Sequence, residues 1–197
     1  GTIVNIRYRS VPPAKKTYRV CTGRPMPLYG ADTLSQDRAK FVIITEGELD
    51  CASVWEAMPN WPVVSLPSGA ASAKKSIQRN LEFLQGYETV VLFFDNDEAG
   101  RTAAKEAASV LPPGKVKIAA LSDDFKDASE ALQAKDTKAV CKAIWDAREF
   151  RPDGIVDGKT LLELVTTPQA DSDHKYPFEG LNEKLHGIRL GELTCIT

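Results

Sequence analysis

Val90-Val91-Leu92-Phe93-Phe94-Asp95-Asn96-Asp97-Glu98-Ala99-Gly100 is an apolar run that stops abruptly on carboxylates. The same pattern occurs earlier, at Phe41-Val42-Ile43-Ile44-Thr45-Glu46-Gly47-Glu48-Leu49-Asp50. Each run reads as a buried strand. Carboxylates are rare in interiors unless they are paired or bind a cation. Two strands that both end on acids therefore suggest one metal site built from both strand ends.

Working outward, Glu48 to Met58 has helical spacing, with Leu49, Ala52, Val54 and Trp55 as inward positions and Pro59 and Pro62 as the stop. Pro62 to Leu66 reads as a second strand. Pro67-Ser68-Gly69 turns into a helix over 72–85, with Ile77, Leu81 and Leu84 inward and Lys74, Lys75 and Arg79 outward. Residues 89–94 form a third strand, and strong helix formers run from Glu98 to Leu111, where Pro112-Pro113-Gly114 ends them. Lys115 to Leu121 alternates as a fourth strand, with helices at 127–134 and 136–147 after it. The order β-α-β-α-β-α-β-α predicts an α/β fold: a mostly parallel sheet with helices on both faces and right-handed crossovers.

The flanks differ from this centre. Residues 3–9 and 16–21 alternate polar and apolar, as half-exposed strands of a hairpin closed by Pro12-Pro13. After residue 150, Pro152, Asp153, Gly154 and Gly158 mark a linker, and Lys159 to Thr167 reads as a short isolated helix. The expected division is a basic subdomain over 1–40, the α/β domain over 41–150, and a linker with the start of a further domain over 151–197. The chain begins on Gly1 and ends on a strand-like run from Gly191 to Thr197, so a piece of a longer protein is expected.

With 43% hydrophobic and 26% charged residues, the 197-residue chain has the composition of a soluble globular protein. No apolar run approaches membrane-spanning length, and the N-terminus is not a signal peptide. Cys21, Cys51, Cys141 and Cys195 are scattered, and the only histidines are His174 and His186. That gives a structural zinc site little support; reduced thiols in an intracellular protein are expected. Net charge is −2, but residues 1–40 hold eight basic side chains against Asp32 and Asp37, so that segment is +6 and the remainder −8. A basic strip beside an acidic site suits an enzyme that handles a polyanion.

In an open parallel sheet ligands bind beyond the carboxyl ends of the strands, where Glu46, Asp95 and Asp97 all fall. Asp95 and Asp97 point to the same side of an extended chain. Hard oxygen donors with few histidines favour Mg²⁺ or Mn²⁺. Two other readings exist for these acids. They partly mimic a calcium loop, although Ala99 holds the fifth position and a strand precedes instead of a helix. Asp97 or Glu98 could also simply cap the next helix, which leaves Asp95 and Glu46 unexplained. Asp127 is either the N-cap of its helix or, if the sheet order puts it beside Asp95, a further ligand. Lys126 would then face a phosphate, and Ser68-Gly69 on the same rim would allow a phosphate close to the backbone.

The pattern Thr45-Glu46-Gly47-Glu48-Leu49-Asp50, Phe94-Asp95-Asn96-Asp97-Glu98-Ala99-Gly100 and Lys126-Asp127 resembles the TOPRIM domain of bacterial-type primases, topoisomerases and some nucleases. Most similar are the bifunctional primase-helicases of T-odd phages and their mitochondrial relative Twinkle. The basic hairpin leading to Pro27-Leu28-Tyr29-Gly30 resembles their small primase subdomain, and Gly180 to Leu193 resembles the start of their helicase domain.

The resemblance implies a primase that joins ribonucleoside triphosphates on a single-stranded DNA template. Glu46, Asp95 and Asp97 would be catalytic and, with Asp127, would hold two Mg²⁺ or Mn²⁺ ions. Lys126, Ser68 and Gly69 would bind nucleotide, and Arg7, Arg9, Lys16 and Arg19 nucleic acid. A zinc-binding module would precede residue 1, and a hexameric helicase with its G-x-x-x-x-G-K-[ST] would follow residue 197. The fragment itself would be monomeric and no helicase, without a membrane, in the cytoplasm of an infected host or in an organelle. The metazoan mitochondrial branch has lost some of these acids, and they are intact here. The rivals are a TOPRIM nuclease and a degenerate domain that binds single-stranded DNA and loads a helicase. A topoisomerase would need a catalytic tyrosine on another domain.

Overall fold

Alternating residues near the N-terminus form an antiparallel hairpin, β1 (Arg7–Arg9) with β2 (Tyr18–Val20), in which Tyr8 stands opposite Arg19. The computed structural model describes residues 3, 5–10, 17–21, 26–34, 40–152, 158–167 and 172–188. Lys16, the Pro12-Pro13 turn and the run from Gly191 lie outside the described residues, as does the side chain of Arg9. The chain forms two units, Gly1–Pro152 and Asp153–Thr197.

In the first unit each apolar run is followed by a helical stretch that carries the chain back to the same end of the sheet, which is what parallel pairing requires. β3 (Phe41–Thr45) leads to α1 (Glu48–Ala57), and β4 (Val63–Ser65) to α2 (Ala73–Arg79) and α3 (Leu81–Gln85). β5 (Thr89–Phe93) leads to α4 (Glu98–Ala108), and β6 (Val116–Ile118) to α5 (Ala128–Gln133) and α6 (Thr137–Trp145). A two-residue strand, β7 (Arg148–Glu149), closes the edge antiparallel to β6. The sheet order is β4-β3-β5-β6-β7.

β3, β4 and β5 are buried on both faces, which is why they read as unbroken apolar runs. Val42, Ile44, Val90 and Leu92 pack on one face with Ile77, Leu84 and the alanines of α4. Ile43, Val91 and Phe93 pack on the other with α1, α5 and α6. The β4 edge is also covered: the amide and carbonyl of Tyr29 exchange hydrogen bonds with Ser65 at 3.0 and 3.1 Å, and Leu28 is buried beside them.

The mostly parallel sheet with helices on both faces is as expected, and three details differ. In α1 the inward stripe is Cys51, Val54 and Met58, while Leu49, Ala52 and Trp55 are exposed. Apolar residues lie all round this helix, so periodicity could not choose a face. The predicted helix over 72–85 is two helices. Asn80 leaves helical geometry and donates its side-chain amide to the Ser76 carbonyl at 2.8 Å, the competition with backbone bonding typical of Asn. β7 carries two exposed charged residues and offers no apolar signal.

The second unit holds α7 (Gly158–Thr166) and α8 (Glu179–Leu185). The Asn182 side chain clasps Tyr176, accepting from its amide at 2.7 Å and donating to its carbonyl at 2.9 Å. No helix among the described residues is long and apolar enough to cross a membrane.

Candidate active site

Glu46 and Asp95 leave neighbouring strands at one rim. β3 and β5 pair in register with Thr45 opposite Phe93, so the sheet delivers both acids to its carboxyl end. Burial, followed by the nearby charge of Asp95, pushes the Glu46 carboxyl above the ordinary range. The Ala70 amide opposes this by donating to Oε1 at 3.3 Å. Ala70 follows Gly69, whose φ of +70° turns the chain in a conformation that other residues resist. A Cβ on Gly69 would lie 3.7 Å from Glu46 Oε1, so the turn after β4 stands against this acid. Ser68 is exposed on it.

Asp95 is also pushed up, first by burial, with the Lys126 ammonium acting in the opposite direction. Lys126 Nζ lies 3.2 Å from Asp95 Oδ2 and 3.4 Å from Asp97 Oδ2. Asp97 caps α4: its Oδ1 accepts the Gly100 amide at 2.8 Å, the main reason its carboxyl lies below the ordinary range. The cap and the rim position are compatible because the two oxygens have different partners.

Asp127 caps α5 in the same way, accepting from the Glu130 amide at 2.7 Å, while Glu130 accepts from the Lys126 amide at 2.6 Å. This reciprocal pair holds the start of α5. The charge of Asp127 raises both Asp95 and Asp50. Asp50, in the first turn of α1, is pushed up to about 6, chiefly by burial and then by Asp127, and it accepts the Ser129 amide at 3.2 Å. In the sequence Asp50 reads as an ordinary acid at the start of a helix, with nothing to mark it for the site. Its burial comes from α5 packing on α1.

Among the described residues no three His, Cys, Asp or Glu side chains close around one point as a ready-made cage. A small hard cation does not need one, because Mg²⁺ keeps several waters and takes one or two carboxylates together with substrate phosphates. The donors at this rim are all oxygen, and Asp95 and Asp97 already hold a cation between them, the Lys126 ammonium. The residues present fit a divalent ion of that kind.

Residues 43–132, from β3 into α5, match the Toprim-like family. The DNA helicase/primase of Enterobacteria phage T3 is 39% identical over 163 residues, which are 80% of this chain and 28% of that protein. The crystal structure of the primase fragment of the bacteriophage T7 primase-helicase is 37% identical, with a TM-score of 0.66 over 74% of this chain and 58% of that one. The bacteriophage T7 lagging-strand DNA polymerase assembly contains primase domains of two gp4 subunits bound to an RNA/DNA hybrid and dTTP. A match in that structure is 38% identical, with a TM-score of 0.62 over 68% of each chain. The chain belongs to the TOPRIM primase domains of the phage-type primase-helicases. It spans 28% of the length of the phage T3 relative.

In this primase domain Glu46, Asp95, Asp97, Lys126 and Asp127 gather at one rim, with the Ser68-Gly69 turn beside Glu46. Arg19 is exposed on the hairpin. Arg7, expected at a nucleic-acid phosphate, is paired within the chain. Its Nη1 donates to Glu48 Oε1 at 2.6 Å and to the Pro67 carbonyl at 2.7 Å, and the side chain is only 20% exposed. A charge reads from sequence as surface, whereas here it ties the hairpin to α1 and to the turn after β4.

Proposed function

We propose that this primase domain joins ribonucleoside triphosphates into short RNA primers on single-stranded DNA, a nucleotidyl transfer. The observation that carries the reading is the rim itself: Glu46, Asp95 and Asp97 with the Lys126 ammonium among them, in a chain of this family. Glu46, Asp95 and Asp97, with Asp127 beside them, would hold two Mg²⁺ or Mn²⁺ ions. Such ions, when bound, neutralise triphosphate charge and orient an attacking hydroxyl.

The chain's own residues bind and orient. Lys126, more than half exposed, exchanges its carboxylate partners for triphosphate oxygens and remains a point charge beside the reacting phosphate. The Ser68-Gly69 turn admits a phosphate close to the backbone, since Gly69 has no side chain to bar it. Arg7, Arg9, Lys16 and Arg19 of the basic N-terminal segment hold the template by its phosphates, Arg7 by exchanging its Glu48 partner as Lys126 does its own. Asp127 and Glu130 keep Lys126 at the rim by fixing the start of α5. In the whole protein the partners would be a zinc-binding module and a hexameric helicase, with replication in an infected host cell as the setting.

A template-directed assay with labelled ribonucleoside triphosphates and Mg²⁺ tests the reading. RNA of two or more nucleotides is expected, and Asp95→Ala with Asp97→Ala should abolish it. DNA cleavage without RNA would favour a nuclease. Salt-sensitive DNA binding without any product would favour a helicase-loading domain.

A further inference from the structure

Asn96 stands between the two rim aspartates, yet its bonds go elsewhere. Its amide donates to the Lys126 carbonyl at 2.7 Å. Its Nδ2 donates to the carbonyls of Leu121 and Ser122, each at 3.2 Å. Its Oδ1 and its own carbonyl both accept from Arg101 Nη1 at 3.0 Å. The carboxamide orientation follows from its partners, because carbonyls only accept and a guanidinium only donates. One residue thus ties both ends of segment 121–126 to the strand end that carries Asp95 and Asp97.

That segment needs a tie. Ser122, Asp123 and Asp124 are exposed, and the bonds within it are Phe125 N–H to the Ser122 carbonyl at 3.2 Å and Ser122 Oγ to Asp124 at 3.1 Å. Leu121 is buried, Phe125 packs against the core and the Lys126 amide is held by Glu130, so the freedom left to order lies in the exposed residues 122–124 between them. Lys126 at the end of the segment has a long stem, so its backbone position decides where the ammonium can reach.

We propose that Asn96 is a positioning residue: its bonds to Leu121, Ser122 and Lys126 latch the 121–126 segment and so set where Lys126 delivers its ammonium to the incoming triphosphate. This rests on the nucleotide-binding reading of the rim given above. Asn96 acts through Lys126 and touches neither metal nor substrate. Asn96→Asp keeps the acceptor for Arg101 but turns a carboxylate toward two carbonyl oxygens, which repels the segment. It breaks the latch but also adds a charge beside Asp95 and Asp97, so Asn96→Leu, which removes the same donor without a charge, is its control and should shift KM and exchange in the same direction.

The test compares Asn96→Asp, Lys126→Gln and the double variant in two measurements. In primer synthesis Asn96→Asp should raise KM for the ribonucleoside triphosphate about tenfold, with kcat changed less than about twofold. The double variant should be no worse than Lys126→Gln alone, because the two residues act in series. Amide hydrogen exchange over 121–126 should quicken about tenfold in Asn96→Asp and stay unchanged in Lys126→Gln. Additive KM effects, unchanged exchange, or faster exchange spread over the whole sheet would each overturn the proposal. Should Asn96→Asp fail to fold, Arg101→Gln frees the same carboxamide without altering it, and a smaller shift of the same pattern is expected; no shift overturns the latch. If the unaltered chain makes no RNA, the function falls, while the exchange comparison still decides the latch.

Discussion

Gly100 of α4 lies directly against the backbone of Asp95. A Cβ on Gly100 would overlap the Asp95 carbonyl oxygen and come within 3.1 Å of its amide nitrogen. Neither atom can swing aside as a side-chain tip can. Gly100→Ala must therefore push α4 outward, and Asp97, which caps that helix, moves with it. Overpacking of this kind costs about 1–3 kcal/mol. Urea unfolding should register that loss, and primer yield should fall further than the folded fraction does. Unchanged stability and yield would mean that the helix has room to shift.

The Arg7–Glu48 pair predicts a coupling between hairpin and sheet. Arg7→Met removes charge-assisted bonds to Glu48 and Pro67, and Glu48→Gln removes only the charge. Both side chains are partly exposed, so we expect a double-mutant coupling of about 1 kcal/mol in chemical unfolding. Additive losses would show that the two side chains do not act on one another.

Asp50 predicts a pH-dependent gain. Burial and Asp127 raise its carboxyl from the ordinary 3.8 to about 6. A raised carboxyl gives stability that is full below 3.8 and is lost as pH climbs through 6. Above that, the ionised group is a net cost. Asp50→Asn, whose Oδ1 can still accept from Ser129, should raise the unfolding free energy at pH 8 by up to about 2 kcal/mol, allowing for partial exposure. The gain should shrink toward nothing as pH falls to 4. A gain equal at both pH values would have another origin than charge.

Asp127 has two parts to separate. Asp127→Asn keeps an acceptor for the Glu130 amide, while Asp127→Ala removes it and costs about 1 kcal/mol of helix capping. We expect Asp127→Asn to melt like the unaltered chain yet make about tenfold less RNA. Full activity in Asp127→Asn would leave the residue a cap alone.

The features legible in sequence are those that leave a local trace. Strands buried on both faces show as unbroken apolar runs, and their acidic ends at Glu46 and Asp95 show as interruptions. Asp97 and Asp127 were open to either capping or site duty, and the structure shows each capping a helix at the rim. What depends on distant partners left no trace. Asp50 reads as an ordinary first-turn acid until α5 buries it, and Arg7 reads as surface until Glu48 and Pro67 face it. The inward face of α1 is hidden in the sequence for the same reason, because the neighbouring helices select it. Asn96 lies between two acids that draw attention, and only the 121–126 segment gives it a task.

The order β4-β3-β5-β6-β7 draws the rim from stretches far apart along the chain: Glu46 after β3, Asp95 and Asp97 after β5, and Lys126 and Asp127 beyond β6. Loops of that length must close before these three stretches meet, so a chain still emerging from the ribosome carries an incomplete rim until residue 127 has been made and β6 has paired. Under the proposed function, the return of primer synthesis in a refolding time course should follow the pairing of β6, the last parallel strand in the chain.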